Sequence, residues 1–450
     1  MRQDLPRVAP EPATTRLESA ETQIGSVFVS NYPPYSFWSD DAVTAARDVL
    51  DTPYDPGSER DLGLYLHIPF CRKRCKFCYF RVYTDKNADD IGTYLNCLGR
   101  EVELYAELPQ TAGRPLDFVY FGGGTPSYIG TRHLRALVGR VQAAMPWTGA
   151  REVAFECEPG TLTEAKVHTI RDIGVTRLSL GVENMDDGIL AENGRAHVSK
   201  EIYRAVPWIH AAGFAQVNMD LIAGMVGETW DTWRETVRKT LDLAPDSITV
   251  YQMELPYNTV YSRGLRDGES MSSADWQTKR DWHAYAFEQI AEAGYHQSSA
   301  YTMIRDGNEA GFVYRDAVWT GQDMIGAGVA SFSHVGGMHF QNAPRWDDYL
   351  APLREDALPL FRAFAPTGRE RLTRELILQM KTGHIEPSLF SEKFGVDILA
   401  VYRDTFAKLE AEGMLTAAPD AVTLTPEGIL RADSLLPEFY DAKYRNARYT

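Results

Sequence analysis

The feature that most constrains the fold is an alternation of short apolar segments with longer amphipathic segments between residues 61 and 295. Six apolar segments are each followed by a helical pattern, and they read GLYLHI, DFVYF, EVAFECE, TRLSLGV, QVNMDLIAG and ITVYQMEL. Parallel strands need a crossover connection, and a helix is the usual one. The pattern therefore predicts an α/β fold with a parallel sheet, and six such units favour a partial (β/α)6 barrel over an open sheet.

The chain of 450 residues is longer than one hydrophobic core usually supports, so we expect further structure on either side of the barrel. Residues 1–60 are rich in proline and aromatic residues and predict an arm packed on the body. The barrel is assigned to 61–295, and the glycine-rich stretch 296–365 predicts an antiparallel extension. Amphipathic helical patterns followed by a strand, a turn and a helix predict a small winged-helix-like domain over 366–450.

Charge and hydropathy restrict the partners. The net charge of −16 repels phosphate backbones, so nucleic acid is an unfavourable partner, including for the winged-helix-like domain. No stretch reaches eighteen consecutive apolar residues, and the N-terminus carries acids and prolines where a signal peptide needs an apolar core. We expect a cytoplasmic protein that binds neither nucleic acid nor a membrane.

Three of the five cysteines lie within CRKRCKFCYF, residues 71–80, directly after the first predicted strand. Barrel folds assemble their functional sites at this end of the strands. A structural zinc site needs four ligands, whereas Cys71, Cys75 and Cys78 suggest a 4Fe-4S cubane with one iron left for a non-protein ligand. Cys97 and Cys157 stand alone in apolar patterns and are expected to be small buried side chains.

An open iron of this kind can be chelated by the amino and carboxylate groups of S-adenosylmethionine. A second motif, YFGGGTPSY at 120–128, leaves a strand through three glycines that expose backbone groups to a close ligand; a tight turn without a ligand is the alternative. Four basic residues surround the cysteines and either influence the cluster potential or form a solvated loop: Arg72, Lys73, Arg74 and Lys76.

The cysteine loop preceded by YLHIPF and followed by FGGGTP resembles the radical S-adenosylmethionine superfamily. From about residue 60 to the C-terminus, the chain is similar to its oxygen-independent coproporphyrinogen III dehydrogenase-like family. The resemblance implies a barrel of the radical SAM type, a 4Fe-4S cluster and one or two molecules of S-adenosylmethionine. It also implies a small-molecule substrate, a low-potential electron donor such as flavodoxin or ferredoxin, and an extension that completes the substrate or second-cofactor pocket.

Site residues follow from the resemblance position by position. Glu183 stands where the family commonly has glutamine, and the replacement loses an amide donor. Glu158 is a second carboxylate candidate, while His334 and His339 are candidate acid–base groups or haem ligands. For charged residues a structural ion pair is the alternative, and for the histidines a structural role. The remaining predicted cofactor contacts are Tyr65, Gly122, Gly123, Gly124, Thr125, Glu156, Arg195 and Asp220.

Phe80 stands where the dehydrogenase has a fourth cysteine, which gives CxxxCxxCxF. The resemblance to that branch favours an enzyme that cleaves S-adenosylmethionine to a 5′-deoxyadenosyl radical and uses two such molecules to methylate or cyclopropanate an unsaturated carbon. Oxygen-independent coproporphyrinogen III dehydrogenation and anaerobic haem modification are the alternatives within the enzymes. A haem chaperone is the alternative of another class, although Tyr314 and Arg315 replace its His-Asn pair.

Overall fold

The computed structural model describes residues 22, 24–58, 61–308, 311–445 and 447. Parts of the predicted arm (1–21, 23 and 59–60) and the last residues of the chain (446 and 448–450) lie outside this description. Within it the chain forms the strands β1 (Leu62–Ile68), β2 (Leu116–Gly123), β3 (Glu152–Cys157), β4 (Arg177–Glu183), β5 (Gln216–Ala223), β6 (Ser247–Gln252), β7 (Tyr295–Gln297), β8 (Thr302–Arg305), β9 (Asp323–Ala327), β10 (Phe332–Val335), β11 (Met338–Asn342), β12 (Leu360–Phe364), β13 (His384–Ile385), β14 (Leu415–Ala417) and β15 (Val422–Leu424).

The helices of the same described ranges are α1 (Val43–Leu50), α2 (Ala88–Glu107), α3 (Thr131–Ala144), α4 (Glu164–Asp172), α5 (Asp187–Glu192), α6 (Ser199–Ala212), α7 (Trp230–Asp242), α8 (Val260–Arg266), α9 (Trp276–Glu292), α10 (Val313–Trp319), α11 (Trp346–Leu353), α12 (Gly368–Met380), α13 (Pro387–Phe394), α14 (Ile398–Val401), α15 (Arg403–Ala411), α16 (Pro426–Leu430) and α17 (Ala432–Leu435). Among these helices, none is both long and apolar enough to cross a membrane.

A twelve-stranded sheet carries the fold, in the order β12-β11-β10-β9-β1-β2-β3-β4-β5-β6-β8-β7. Strands β1 to β6 pair in parallel and in chain order, which confirms the α/β class and the parallel sheet predicted from the sequence. The glycine-rich stretch, expected to be antiparallel throughout, supplies a seventh parallel strand because β9 pairs in parallel with β1. The other added strands are antiparallel and extend both edges.

The two faces of the parallel strands differ because side chains alternate along a strand. On β1, Leu64 and Leu66 point outward and are fully buried in the main core, while Tyr65 between them is half-buried. The same alternation puts hydrogen-bonding side chains on the inner face, where Asn218 of β5 donates to Ser179 of β4 at 2.8 Å. The inner face is therefore polar and the outer face is apolar.

The described part of the arm joins the two sides of this sheet. Gly25 forms a β-bridge with Leu255, which follows β6, and Ser39 forms a β-bridge with Ala363 of edge strand β12. Between these points the Glu254 carboxylate accepts hydrogen bonds from the backbone amides of Val27 at 2.9 Å and Phe28 at 3.0 Å. The segment 25–39, which we call the strap, thus spans the mouth of the open barrel.

The C-terminal part of the chain holds the strap from the other side. Helices α12 to α15 surround a three-stranded sheet in the order β13-β15-β14, the arrangement expected for a winged-helix-like unit. The Asp433 carboxylate accepts a hydrogen bond from the Val29 amide at 2.9 Å and lies 2.8 Å from the ammonium of Lys381. The Lys381 ammonium also lies 3.9 Å from the centre of the Phe28 ring.

Close packing on the inner face allows a stability test. A Cβ atom at Gly63 of β1 would lie 1.9 Å from Cζ of the buried Phe118 ring, whereas a Cβ at Gly139 of α3 would meet nothing within 4 Å. We predict that Gly63→Ala lowers the unfolding free energy by about 1–3 kcal/mol through overpacking. Gly139→Ala should raise it by up to about 1 kcal/mol through helix propensity. Urea unfolding midpoints measure both changes, and equal midpoints for the two variants would contradict the prediction.

Candidate active site

The three cysteines lie on the loop that leaves the carboxyl end of β1. The loop is fixed at both sides, because the Cys71 amide donates to Tyr83 O at 3.1 Å and the Lys76 amide donates to Asn193 O at 3.0 Å. Inside the loop the Cys78 amide donates to Cys75 O at 3.2 Å. All three thiols are free and half-buried, whereas Cys97 and Cys157 are buried as predicted.

Two of the cysteine sulfurs receive a hydrogen bond from outside the loop. The Thr125 hydroxyl donates to Cys71 Sγ at 3.3 Å, and the Arg195 guanidinium donates to Cys75 Sγ at 3.4 Å. Burial raises the pKa of Cys71 to about 11 and of Cys78 to about 12, so both side chains are protonated thiols when no metal is bound. Coordination to a metal deprotonates a thiol, and the hydrogen bonds from Thr125 and Arg195 then stabilise the negative charge on the two sulfurs.

The donor set fits a cluster with one protein ligand to each of three irons. In the part of the chain described, no three His, Cys, Asp or Glu side chains converge closely enough to bind a single ion. A cubane does not need such convergence, because each cysteine ligates a different iron atom.

The glycine run of the predicted site lies against the chain that leads into the cysteine loop. The Gly124 amide donates to Ile68 O at 2.8 Å, and a Cβ at Gly124 would lie 2.9 Å from the Pro69 carbonyl carbon. Gly123 has φ +112°, and a Cβ there would lie 2.5 Å from the His67 ring. Close packing thus requires these two glycines, and their contact with a cofactor stays a prediction.

Three of the predicted cofactor contacts are carboxylates along the inner face of β3, β4 and β5. Burial raises the pKa of Glu156 and of Glu183 to about 7, and it also raises the pKa of Asp220. Glu156 accepts hydrogen bonds from the Tyr120 hydroxyl at 2.7 Å and the Gly123 amide at 3.2 Å. Negative charges that are buried close together repel one another, and a cationic ligand would reduce this repulsion. We call Glu156, Glu183 and Asp220 the carboxylate row.

Arg195 connects the carboxylate row to the cysteine loop. Besides its bond to Cys75, its guanidinium donates to Gly181 O at 2.7 Å and lies 3.4 Å from the Glu183 carboxylate. Glu183 has φ 64°, a left-handed conformation that is uncommon for this residue type and often marks functional sites. The Nε atom of Arg195 is buried without a hydrogen-bond partner among the described residues. The structure therefore brings Arg195, Glu183 and Cys75 together, and the contact of Arg195 and Glu183 with a cofactor stays a prediction.

Glu158, the second carboxylate candidate, has a different environment. Its carboxylate accepts from the Arg72 guanidinium at 3.1 Å, the His197 ring at 3.0 Å and the Gly160 amide at 3.1 Å. Burial alone would raise its pKa, but His197 and Arg72 lower the pKa of Glu158 to about 2. Glu158 is thus ionised and ties the cysteine loop to the end of β3, which is the structural ion pair given as the alternative for charged residues.

Tyr65 reaches the same inner face, next to a residue that the sequence reasoning missed. Its hydroxyl lies 3.3 Å from Nδ1 of His67, two positions further along β1 and on the same face. Its ring stacks with Tyr120 at 5.8 Å and with Tyr314 at 6.4 Å between centroids. Burial lowers the pKa of His67 to about 4, so the ring is neutral at pH 7. The spacing of two from Tyr65 is the signal that could have identified it.

The candidate histidines His334 and His339 are not brought to the cysteine loop. Their Nδ1 atoms lie 3.0 Å apart on the β10–β11 hairpin, and Trp38 of the strap stacks on His339 at 5.3 Å. His334 pairs with Met324, which pairs with Gly63 at the amino end of β1, whereas the cysteines follow its carboxyl end. Both rings are buried, and burial lowers the pKa of His339. The geometry favours the structural role that was the alternative for them.

Two family matches agree with this site and with the C-terminal unit. Residues 65–240 match the Radical SAM superfamily, and residues 367–431 match the HemN C-terminal domain. Residues 65–240 are a radical SAM domain. Members of this superfamily use a 4Fe-4S cluster and S-adenosylmethionine, so these two predicted cofactors are confirmed, while the number of S-adenosylmethionine molecules stays a prediction.

Curated relatives of two kinds are similar to this radical SAM protein. The haem chaperone HemW of Bacillus subtilis (strain 168) is 24% identical over 377 residues, which covers 83% of this chain and 98% of the relative. The oxygen-independent coproporphyrinogen III oxidase of Bradyrhizobium diazoefficiens is 27% identical over 419 residues, which covers 90% of this chain and 88% of the relative. The family resemblance stated from the sequence is confirmed. These relatives do not support the preference for carbon methylation or cyclopropanation.

A solved structure supports the fold. Coproporphyrinogen III oxidase (HemN) from Escherichia coli superposes with a TM-score of 0.78 at 22% sequence identity, covering 92% of this chain and 96% of that one. The barrel of the radical SAM type with its C-terminal domain is therefore confirmed as the fold of this chain.

The cysteine assignment predicts which thiols retain iron. Replacing Cys71, Cys75 or Cys78 by alanine should sharply lower the bound iron and the visible absorption of anaerobically reconstituted protein, because each removes the only protein ligand of one iron. Cys97→Ala is the matched control and should keep wild-type iron, since Cys97 lies on α2 away from the loop. Full iron content in any of the three loop variants, or zinc in place of iron, would contradict the assignment.

The carboxylate row predicts a charge effect on cofactor binding. Glu156→Gln should weaken S-adenosylmethionine binding about tenfold, because it removes a negative charge that attracts the cationic ligand. Equilibrium dialysis of the cluster-loaded protein under anaerobic conditions measures this. Glu235→Gln, on the exposed surface of α7, removes the same charge and should bind as wild type. Equal affinity of all three proteins would show that Glu156 does not face the cofactor.

Proposed function

We propose that this protein is a radical SAM enzyme that modifies a tetrapyrrole, of the class of porphyrins and haems. The observation that carries the proposal is the carboxylate row beside a half-buried loop with three free cysteines, joined to it by Arg195. The chemistry that the cluster supplies when bound is one-electron cleavage of S-adenosylmethionine to methionine and a 5′-deoxyadenosyl radical that abstracts hydrogen.

The side chains around the cysteines have separable tasks in this proposal. Thr125 and Arg195 neutralise sulfur charge at Cys71 and Cys75, which bears on the cluster potential. Glu156 and Asp220 bind the polar and cationic groups of S-adenosylmethionine and orient it across the strand ends. The strap covers the opening between β6 and β12 and limits the access of water to reactive species.

The tetrapyrrole class is supported by the relatives, which include coproporphyrinogen III oxidases and haem chaperones. Phe80 cannot supply the thiol that the resemblance places at this position in the dehydrogenase. We therefore favour modification of a porphyrin or haem over oxidative decarboxylation of coproporphyrinogen III. A low-potential flavodoxin or ferredoxin is the electron donor in this proposal.

A haem chaperone is the second candidate. The match covers 98% of the length of HemW from Bacillus subtilis, so nearly all of that relative has a counterpart here. Tyr314 and Arg315 occupy the position at which the chaperone branch was expected to have its His-Asn pair, and they disfavour this candidate. Tyr314 packs on Tyr120 at 4.2 Å, inside the barrel.

Formation of 5′-deoxyadenosine separates an enzyme from a carrier. We predict that cluster-loaded protein with dithionite and S-adenosylmethionine forms 5′-deoxyadenosine over many turnovers, and that a haem or porphyrin substrate accelerates this. Cys75→Ala should form none, because the cluster is lost. Full cluster loading with no more than one turnover would favour the carrier, and release of carbon dioxide from coproporphyrinogen III would favour the decarboxylase.

A further inference from the structure

A large apolar side chain stands exposed directly beside the third cysteine. Phe80 is 47% exposed, although two positions earlier Cys78 is half-buried in the loop. The Phe80 ring stacks on Tyr79 with a centroid distance of 4.5 Å and an interplanar angle of 27°. One ring covers the other, so the pair presents a flat aromatic surface whose outer face is open to a ligand.

The Tyr79–Phe80 pair lies beside the base of the strap. The side-chain amide of Asn258 donates to Tyr79 O at 2.9 Å, and Asn258 follows closely after Leu255, to which the strap is bridged. The pair therefore borders the space beneath the strap, directly after Cys78 of the cysteine loop.

Two more stacked aromatic pairs surround the same space. Tyr251 of β6 is 39% exposed and stacks with Tyr301 at 5.9 Å and 28°. The Tyr301 ring also lies 6.0 Å from the ring of Phe28 between centroids, so this pair lies against the strap. On the opposite side Tyr35 stacks with Phe332 at 4.1 Å and 29°.

A cation lies beside the third pair. The guanidinium of Arg362 donates to Tyr35 O at 2.8 Å and to Gln341 Oε1 at 2.6 Å, and the side chain is half-buried. In a protein of net charge −16, a local cation is needed to bind a ligand with acidic side groups. The space beneath the strap is therefore bordered by flat aromatic rings and, at one side, by the positive charge of Arg362.

From this arrangement we propose that Phe80, supported by Tyr79, is a stacking platform that selects a flat conjugated porphyrin over the reduced porphyrinogen. The inference rests on the proposed function and deepens it by naming the substrate class. Stacking needs a planar π system on both partners. A porphyrin has one, whereas the tetrahedral bridging carbons of a porphyrinogen interrupt conjugation and fold the ring.

The test compares two ligands that carry the same side groups, coproporphyrin III and coproporphyrinogen III. Binding to the cluster-loaded full chain is measured by anaerobic equilibrium dialysis in the dark, with the porphyrinogen quantified after oxidation. We expect the wild type to bind the porphyrin about tenfold more tightly than the porphyrinogen. Phe80→Leu, which keeps an apolar side chain without a π face, should weaken porphyrin binding about three- to tenfold.

The controls separate stacking from other effects. Phe80→Tyr keeps the aromatic face and should retain the affinity of the wild type for the porphyrin. Phe80→Leu should leave porphyrinogen binding within about twofold, since only a single small pyrrole ring of that ligand can lie on the aromatic face at one time. Phe361→Leu is the matched surface control, because Phe361 of β12 is also 47% exposed but alternates with the inward-facing Arg362. It should bind both ligands as the wild type does.

Equal binding of the two ligands by the wild type would overturn the inference, and so would unchanged porphyrin binding by Phe80→Leu. Failure of the wild type to bind coproporphyrin III would also overturn it. The formation of 5′-deoxyadenosine with dithionite is measured separately on the same preparations. If 5′-deoxyadenosine forms but the preference for the porphyrin is absent, the stacking platform is wrong and the radical SAM activity stands. If no 5′-deoxyadenosine forms, the proposed function fails.

Discussion

The site depends on one constraint: a parallel sheet whose two faces have opposite chemistry. Parallel sheets are usually covered on both faces and apolar on both. Here the outer face packs into the main core, while the inner face needs its polar side chains to satisfy one another. Asn218 shows how, because its amide donates to Ser179 and its oxygen accepts from Ser247 at 2.9 Å. Toward the carboxyl ends of the strands three carboxylates lie on this face, and burial raises their pKa values despite their hydrogen bonds, so a cationic ligand would stabilise them.

Much of the fold could be predicted from the sequence because its signals are local. Each strand–helix unit carries its own periodicity, and three cysteines directly after a strand fix both the type of site and its end of the barrel. The β9 strand carried no such signal: DMIGA is short and glycine-rich, and only its pairing with β1 makes it a parallel strand. The strap likewise takes its structure from residues that are distant in the sequence, such as Glu254.

Residue type alone predicted the site less well than position did. His334 and His339 were selected because histidines can act as acids or ligands, but strand register puts them near the wrong end of β1. His67 belongs to the YLHIPF motif but was not assigned to the site, yet it lies beside Tyr65 and Gly123. Because one fold can carry different functions, the function of this chain must be argued from particular side chains. Phe80 and Tyr314 are the positions where this chain departs from expectation.

The strap has a consequence for the order in which the molecule is assembled. The hydrogen bond from Val29 to Asp433 joins residues that are 404 positions apart, whereas strands β1 to β6 each pair with the next strand along the chain. Because synthesis runs from the N-terminus and domains fold as they emerge, the barrel can form before Asp433 has been synthesised. Asp433 is therefore synthesised after every strand of the barrel, so the strap can be fixed over the barrel only once the cysteine loop has long been made.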